Sequence, residues 1–268
     1  MRGRIFAWGL GLLVIASACS EYNQVMKSAD YDRKFALAND LFEREKWLPS
    51  IALYEQVYQH APKSGMGELA YFRLGKSYFA EEDYYMAAYY FGSFFERFPR
   101  SNKVEEAYFY RSLSSVNVSP GYSLDQQETQ IALNELQQFI YLFPNSERID
   151  TCNQLMDKLR WKLERKEFES VKLYSKTTRY RAAVVSAKKF IQEHPGSPFK
   201  EEVMYLQFKN AYLLAENSIE KKKKERIEET IETYRTFVSQ FPESKHLREM
   251  TGMQDRMQDQ LKSLSSAK

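Results

Sequence analysis

The sequence predicts an all-α fold made of about five consecutive helix-turn-helix units that stack into one elongated array. A Pro-x-Ser element recurs along the chain, and the apolar residues between its copies follow helical spacing. We find neither strand-like alternation nor a long Gly/Ser linker. Only 10 of 268 residues are glycine and 15% are aromatic, which suits helices that interlock through aromatic rings. We therefore expect one uninterrupted array over residues 30–262.

The recurring element combines a helix stop with a helix start. It occurs at Pro62-Lys63-Ser64, Pro99-Arg100-Ser101, Pro144-Asn145-Ser146, Pro195-Gly196-Ser197 and Pro242-Glu243-Ser244. Proline cannot continue the preceding helix, and serine is a preferred N-cap residue. Each serine is therefore expected to cap the next helix. Ser197-Pro198 is the sharpest case, because proline suits the first helical position.

The window 71–99 carries the most specific repeat pattern. Its apolar residues form two helical stripes that end at Pro99, in the order Tyr71, Leu74, Gly75, Tyr78, Ala87, Phe91, Phe94. This is the tetratricopeptide order of large and small residues. Gly75 and Ala87 are small where the two helices should cross, so the pattern predicts a tetratricopeptide-like α-solenoid.

The other units follow the same register with insertions. The first unit lies 37 residues upstream, and the third has helices on either side of an interruption at 119–122. The fourth begins with a long helix at about 147–174. The fifth runs over 199–217 and is broken by a charged insert at 219–226. We expect Lys221 to Arg226 to be a solvated charged loop or a helix end, because like charges avoid burial.

The N-terminus reads as a targeting segment. Residues 1–18 have a basic start, an apolar stretch too short to span a bilayer and small residues before Cys19. This resembles a bacterial lipobox, with Cys19 as the lipid attachment site, residues 19–29 as a tether and 263–268 as a flexible tail. An ordinary secretory signal is the alternative. Ser20 follows the cysteine where an aspartate would favour the inner membrane, so the outer membrane is the expected location.

Composition argues against several classes of function. Without Arg2 and Arg4 the chain has 37 basic and 36 acidic residues, which disfavours a general nucleic-acid binder. Cys152 is the one cysteine besides Cys19, so neither a disulfide nor a cysteine zinc site is expected. The three histidines, His60, His194 and His246, each lie beside a Pro-x-Ser element and read as turn residues. We predict no catalytic residues, no metal and no cofactor.

The first helix of each pair should line a concave surface, as in other helical arrays. In the register of Gly75, seven residues are predicted to face that groove: Asn39, Phe42, Phe72, Lys76, Phe79, Phe109 and Leu113. Mixed aromatic, amide and basic groups suit an extended peptide that ends in an aromatic residue. The alternative is that these aromatic rings pack between repeats.

The whole mature chain resembles the BamD family of outer-membrane β-barrel assembly lipoproteins. The resemblance rests on the cysteine after the signal, the order of the five units, the segment Ala70-Tyr71-Phe72-Arg73-Leu74-Gly75 and the position of the third-unit interruption. The stretch Tyr141-Leu142-Phe143-Pro144-Asn145-Ser146 is also similar. The Lys221 to Lys224 insert and the divergent last repeat depart from the family.

The resemblance implies a scaffold on the periplasmic face of the outer membrane. It would bind the periplasmic domains of the barrel-forming assembly protein, other members of the assembly complex and unfolded outer-membrane proteins. Two alternatives stay open: a periplasmic scaffold that coordinates cell-wall or envelope-constriction proteins, and a lipoprotein that captures a soluble ligand such as a glycan.

Overall fold

The described part of the chain, residues 21–266, is all-α. The computed structural model contains no strand in this range. Its helices are α1 (21–27), α2 (Tyr31–Glu43), α3 (Trp47–His60), α4 (Gly65–Ala80), α5 (Tyr84–Arg97), α6 (Val104–Val118), α7 (Gln127–Leu142), α8 (Ile149–Lys176), α9 (Tyr180–Glu193), α10 (Lys200–Glu216), α11 (Glu220–Gln240) and α12 (Leu247–Ser266). We call the first helix of each pair, such as α2, α4 and α6, an A helix, and the second a B helix.

The helices pack serially. From α2 to α7, and again from α9 to α12, each helix packs against the next one in sequence. Neighbouring A helices also touch, α2 with α4 and α4 with α6. This is the tetratricopeptide-like arrangement that the repeat pattern predicts.

The chain divides into two compact units, and the boundary between them lies inside α8. The N-terminal unit runs to Pro120 and includes Asp125–Met156, and the C-terminal unit comprises Gly121–Leu124 and the chain from Asp157 onward. The sequence predicts no boundary within residues 30–262. It had no signal for one, because the division falls within a continuous 28-residue helix and not within a linker.

The crossing of α4 and α5 forms as the small residues predict. A Cβ atom on Gly75 would lie 2.8 Å from Cε1 of Phe91, and Ala87 is fully buried. The backbone of α4 can approach the Phe91 ring closely only because Gly75 has no side chain. Phe91 and Phe94 are fully buried beneath this crossing.

One serine of the five Pro-x-Ser elements caps the next helix as predicted, and the other four have a different role. Ser64 caps α4 by accepting a hydrogen bond from Gly67 N–H at 3.0 Å. At the other four elements an extra turn precedes the helix, and Oγ accepts from the N–H two residues later, as in Ser101 with Lys103. Lys200, not Pro198, therefore begins α10.

In three of these four elements the serine hydroxyl ties one repeat to the previous one. Each donates to a glutamate in the first turn of an upstream A helix at 2.7 Å: Ser101 to Glu68, Ser146 to Glu105 and Ser244 to Glu201. Hydrogen bonds to charged groups stabilise by about 1.5–3 kcal/mol. The repeated Pro-x-Ser element thus fixes the spacing between repeats as well as the helix ends.

The expected tether is partly helical. Residues 21–27 form α1, and Val25 is 1% exposed in a core cluster with Ile51 and Leu53. Tyr22, Val25 and Met26 lie at i, i+3 and i+4, an apolar stripe too short to stand out in a polar segment.

The structure also differs in detail from the predictions for the lysine run and for the C-terminal tail. Helix α11 is continuous from Glu220, so the lysine run is a solvated helix end and not a break, and the buried stripe begins at Ile227. Helix α12 extends through Ser266, and Leu264 packs against the core cluster that contains Ile231 and Met257, in place of a free tail.

Candidate functional site

The candidate site is the A-helix face of the N-terminal unit. We define this face by side chains that α2, α4 and α6 present beside one another: Asn39, Phe42, Glu43, Arg73, Lys76, Phe79, Glu106, Phe109, Tyr110 and Leu113. Six of the seven predicted groove residues belong to it, all half-buried. Helical contacts between α2, α4 and α6 bring them together.

Arg73 organises the first half of the A-helix face. Its guanidinium donates to Asn39 Oδ1 at 2.9 Å and to Tyr54 Oη at 3.2 Å, and it pairs with Glu43 Oε1 at 3.0 Å. The guanidinium also lies 4.7 Å from the centroid of the Phe42 ring, within range of a cation–π contact. Arg73 thus holds the predicted residues Asn39 and Phe42 in fixed positions.

Lys76 repeats this arrangement between α4 and α6. Its Nζ lies 3.2 Å from Glu106 Oε1 and 3.7 Å from the centroid of the Tyr110 ring. Phe79 packs edge-on against the same Tyr110 ring at 5.1 Å. The face therefore alternates cations, aromatic rings and carboxylates, and each cation already has a carboxylate partner.

Phe109 and Leu113 extend the face along α6. The Phe109 ring packs against Phe139 at 5.6 Å, and the Arg148 guanidinium lies 5.3 Å above it. Arg148 pairs with Glu105 at 3.0 Å. Leu113 is half-buried one turn further along. The aromatic packing that was the alternative for these residues is therefore present, with part of each side chain left accessible.

Phe72 lies elsewhere. It is 6% exposed and packs edge-on against Phe91 and Phe94 of α5, with ring centroids 5.8 and 5.5 Å away. Phe72 and Lys76 share a helical face by spacing, but the ring turns towards α5 and the longer lysine reaches the surface. In this structure Phe72 is a core residue and not a lining residue of the A-helix face.

Sequence reasoning missed the charged partners of this face, Glu43, Arg73 and Glu106. The sequence carried a signal for them, because Arg73 and Glu43, and likewise Lys76 and Glu106, are 30 residues apart. Opposite charges separated by nearly one repeat lie on neighbouring A helices. The spacing alone did not show which helix faces would meet.

Two tyrosines of the N-terminal unit, the buried Tyr54 and the half-buried Tyr78, give an expected pH dependence. Burial raises the pKa of Tyr54 to about 12, which Arg73 only partly offsets, and burial together with Glu55 raises the pKa of Tyr78 to about 12. Unfolded tyrosine ionises near pH 10. The folded state therefore retains protons that the unfolded state loses, and the free energy of unfolding should fall as the pH rises from about 10 towards 12.

Circular dichroism in urea across this pH range, beside phenolate absorbance, measures the effect. In the double variant Tyr54→Phe, Tyr78→Phe, the free energy of unfolding should decline less steeply above pH 10. At neutral pH the variant should be about 1 kcal/mol less stable than the wild type, because the hydrogen bonds of the two hydroxyls are lost. An equally steep decline in the variant would contradict this assignment.

The C-terminal unit has a similar cluster between α10 and α12. Lys209 Nζ donates to Tyr205 Oη and pairs with Glu249, both at 3.0 Å, and the Tyr205 hydroxyl donates to Glu249 at 2.8 Å. Partial burial alone would raise the pKa of Glu249, but the hydrogen bonds from Tyr205 and Lys209 outweigh it and lower that pKa. His246 stacks on Tyr205 with ring centroids 3.9 Å apart.

The three histidines lie at or beside helix ends: His60 is helical, whereas His194 and His246 lie in the turns that the sequence predicts. His60 ends α3 and stacks on Tyr31, and His194 follows α9. His194 Nε2 lies 3.1 Å from Glu167 Oε2. This pair and Glu193 bring potential metal-ligand atoms within 4.8 Å of one another, but Glu167 and His194 already form the hydrogen bond just described.

Cys152 is fully buried, as expected for a packing residue. Burial raises the pKa of its thiol to about 11. A thiol is a poor nucleophile when its thiolate is disfavoured. Cys19, the predicted lipid attachment site, and the signal segment 1–18 lie outside the described residues. Within the described residues, no helix has the length and apolar character needed to cross a bilayer.

Comparisons with known proteins identify the family. The family model described as "YfiO: Outer membrane lipoprotein", which is the BamD family domain, matches residues 29–189 and 176–264. The search of curated proteins found no match. Among solved structures, a thermophilic TPR protein of Thermus thermophilus is 14% identical, with 83% of this chain and 98% of that chain covered and a TM-score of 0.33. The family match extends over nearly all of the described residues, and the chain therefore belongs to the YfiO, or BamD, family of outer membrane lipoproteins.

Proposed function

We propose that this chain is a non-catalytic scaffold of β-barrel assembly, anchored to the periplasmic face of the outer membrane through Cys19. It binds the periplasmic domains of the barrel-forming assembly protein and unfolded outer-membrane proteins, and so promotes their folding and insertion. The main support for the proposal is the A-helix face, which occurs here in a chain of the outer membrane lipoprotein family.

The chemistry of the A-helix face suits an extended peptide. Phe42, Phe79 and Phe109 offer aromatic surface at intervals along neighbouring A helices, and Asn39 and Lys76 offer polar groups between them. An unfolded barrel strand alternates apolar and polar side chains and presents free backbone groups. Aromatic contacts would supply affinity, while the amide and charged groups would fix the register of the bound segment.

The charge pairs favour holding a peptide over chemical turnover. Arg73 and Lys76 each pair with a carboxylate, and Cys152 lies in the core. A catalytic base or nucleophile needs access to its substrate in a reactive ionisation state. The groups of the A-helix face are instead arranged for steady contact with a partner.

An affinity pull-down from detergent-solubilised envelope of the native host tests the proposal. We expect a large barrel protein with periplasmic domains among the retained partners, and a loss of many outer-membrane barrel proteins after depletion of this chain. Recovery of cell-wall enzymes alone would favour the envelope-constriction scaffold. Saturable binding of a small glycan, with barrel proteins unaffected, would favour the ligand-capturing lipoprotein.

The anchor has a separate test with a control inside the chain. Metabolic labelling with a palmitate analogue should modify the wild type and the Cys152→Ala variant equally, whereas the Cys19→Ala variant should remain unlabelled. The physical reason is that the acyl chains that hold the protein at the bilayer are attached through residue 19. An unmodified Cys19 thiol in mature protein from the native host, measured by intact mass, would contradict this part of the proposal.

A further inference from the structure

An open groove on the N-terminal unit lies apart from the A-helix face. It is formed by α5, α6 and α7 and holds about 480 Å³. We call it the B-helix groove and define it by Tyr85, Tyr89, Gly92 and Glu96 of α5, Arg111 of α6, and Glu128 and Glu135 of α7. None of these residues belongs to the A-helix face.

Two exposed tyrosines line the α5 side of the B-helix groove. Tyr85 is 67% exposed and Tyr89 is 58% exposed, one helical turn apart. Most tyrosines of the N-terminal repeats pack against other rings in the core, as Tyr71 and Tyr78 do. Exposed aromatic side chains in a groove are typical of contact surfaces, because their rings add area at little cost in conformational entropy.

The groove is acidic. Glu96, Glu128 and Glu135 outnumber the single guanidinium of Arg111, which already pairs with Glu135 Oε1 at 2.5 Å. Among the described residues, Glu96 and Glu128 form no ion pair, so their carboxylates are the unpaired charges of the groove. Unpaired carboxylates close to one another favour a cationic hydrogen-bond donor between them.

Gly92 keeps the centre of the groove open. It lies inside α5, and its φ is not positive, so the backbone does not require glycine there. A Cβ atom at this position would lie 3.6 Å from Cδ and Nε of Arg111, which is ordinary van der Waals contact. Alanine would fit and would favour the helix more. Packing within the unit therefore does not explain a glycine here, whereas access to the groove does.

We propose that the B-helix groove binds an arginine side chain presented by a segment of a partner protein. A guanidinium can stack on the rings of Tyr85 and Tyr89 while it donates to the carboxylates of Glu96 and Glu128. Lysine offers a point charge without a planar face, so arginine fits this combination of rings and carboxylates better. This inference does not rest on the proposed function, since it concerns other residues and another ligand.

Fluorescence anisotropy with two matched peptides tests the inference on the detergent-solubilised full chain. One labelled peptide has the sequence Gly-Ser-Phe-Arg-Phe-Ser-Gly, and the other carries citrulline, which keeps the shape but not the charge, in place of arginine. We expect the arginine peptide to bind about tenfold more tightly. The double variant Glu96→Gln, Glu128→Gln should remove this preference.

The Gly92→Ala variant separates a binding role from a structural one. It should raise the thermal midpoint, because alanine favours the helix, and yet weaken the arginine peptide about tenfold by filling the groove. Tyr141→Ala is the control, since Tyr141 is 81% exposed on α7 and does not line the groove. Equal affinity for both peptides, no binding up to about 1 mM, or unchanged affinity in the Gly92→Ala variant would each overturn the proposal.

Discussion

Replacing Phe91 with alanine is expected to lower the free energy of unfolding of the N-terminal unit by about 3–5 kcal/mol. Phe91 is fully buried, and its ring packs against Phe72 and Tyr110 with centroids 5.8 and 5.3 Å away. Alanine would leave a cavity under α4 that the fixed backbones of α4 and α6 cannot close. Whole domains have a free energy of unfolding of only about 5–15 kcal/mol, so the expected loss is a large fraction of the total stability. Urea denaturation followed by circular dichroism measures it.

The glycine above this ring provides a test of the same crossing. Gly75→Ala would place Cβ 2.8 Å from Cε1 of Phe91 and should cost about 1–3 kcal/mol in the wild type. Leucine lacks the outer ring atoms, so the cost of Gly75→Ala should be smaller in a Phe91→Leu background. Strictly additive effects of the two changes would show that these side chains do not determine the approach of α4 to α5.

Replacing Gly67 with alanine is expected to destabilise the junction of α3 and α4 by about 3 kcal/mol, the upper end of the usual cost of overpacking. A Cβ atom here would lie 2.1 Å from the carbonyl oxygen of Ala61 and 3.0 Å from its carbon. These are backbone atoms, so no rotation of a side chain relieves the overlap. The turn between α3 and α4 must move instead, and with it the cap that Ser64 provides.

Gly65 supplies the matched control for this prediction. It lies two residues away at the start of α4, and a Cβ atom there would meet nothing within 4 Å. Gly65→Ala should therefore leave the urea midpoint unchanged or raise it slightly. Equal effects of the two substitutions would contradict the close approach of the α3–α4 turn to Gly67.

Much of the fold could be predicted because each helix carries local signals of its own. The Pro-x-Ser elements and helical stripes predicted a long helix over about 147–174, and α8 spans Ile149–Lys176. Features without a distinct local signal were missed. The boundary of the two units lies within α8, and the lysine run continues a helix whose buried stripe starts only at Ile227.

Less of the candidate site could be predicted, because it depends on how neighbouring repeats meet. Helical spacing placed Asn39, Lys76 and Phe109 on the A-helix face but placed Phe72 there as well, although the Phe72 ring packs against core rings of α5. The ion pair of Arg73 with Glu43 joins two A helices, and the pattern within one repeat does not determine it. The tyrosines and the glycine of the B-helix groove likewise become a site only when α5, α6 and α7 are packed.

The central claim is that the A-helix face holds unfolded barrel proteins. Site-specific photocrosslinking in the native host tests this claim most directly. A photoreactive residue would replace Glu43, Lys76 or Leu113 on that face, and Leu48 or Tyr141, which are exposed on B helices, as controls. The account predicts adducts with newly exported outer-membrane barrel proteins from the A-helix positions and few from the controls. Adducts from the B-helix positions alone, or with cell-wall enzymes alone, would contradict it.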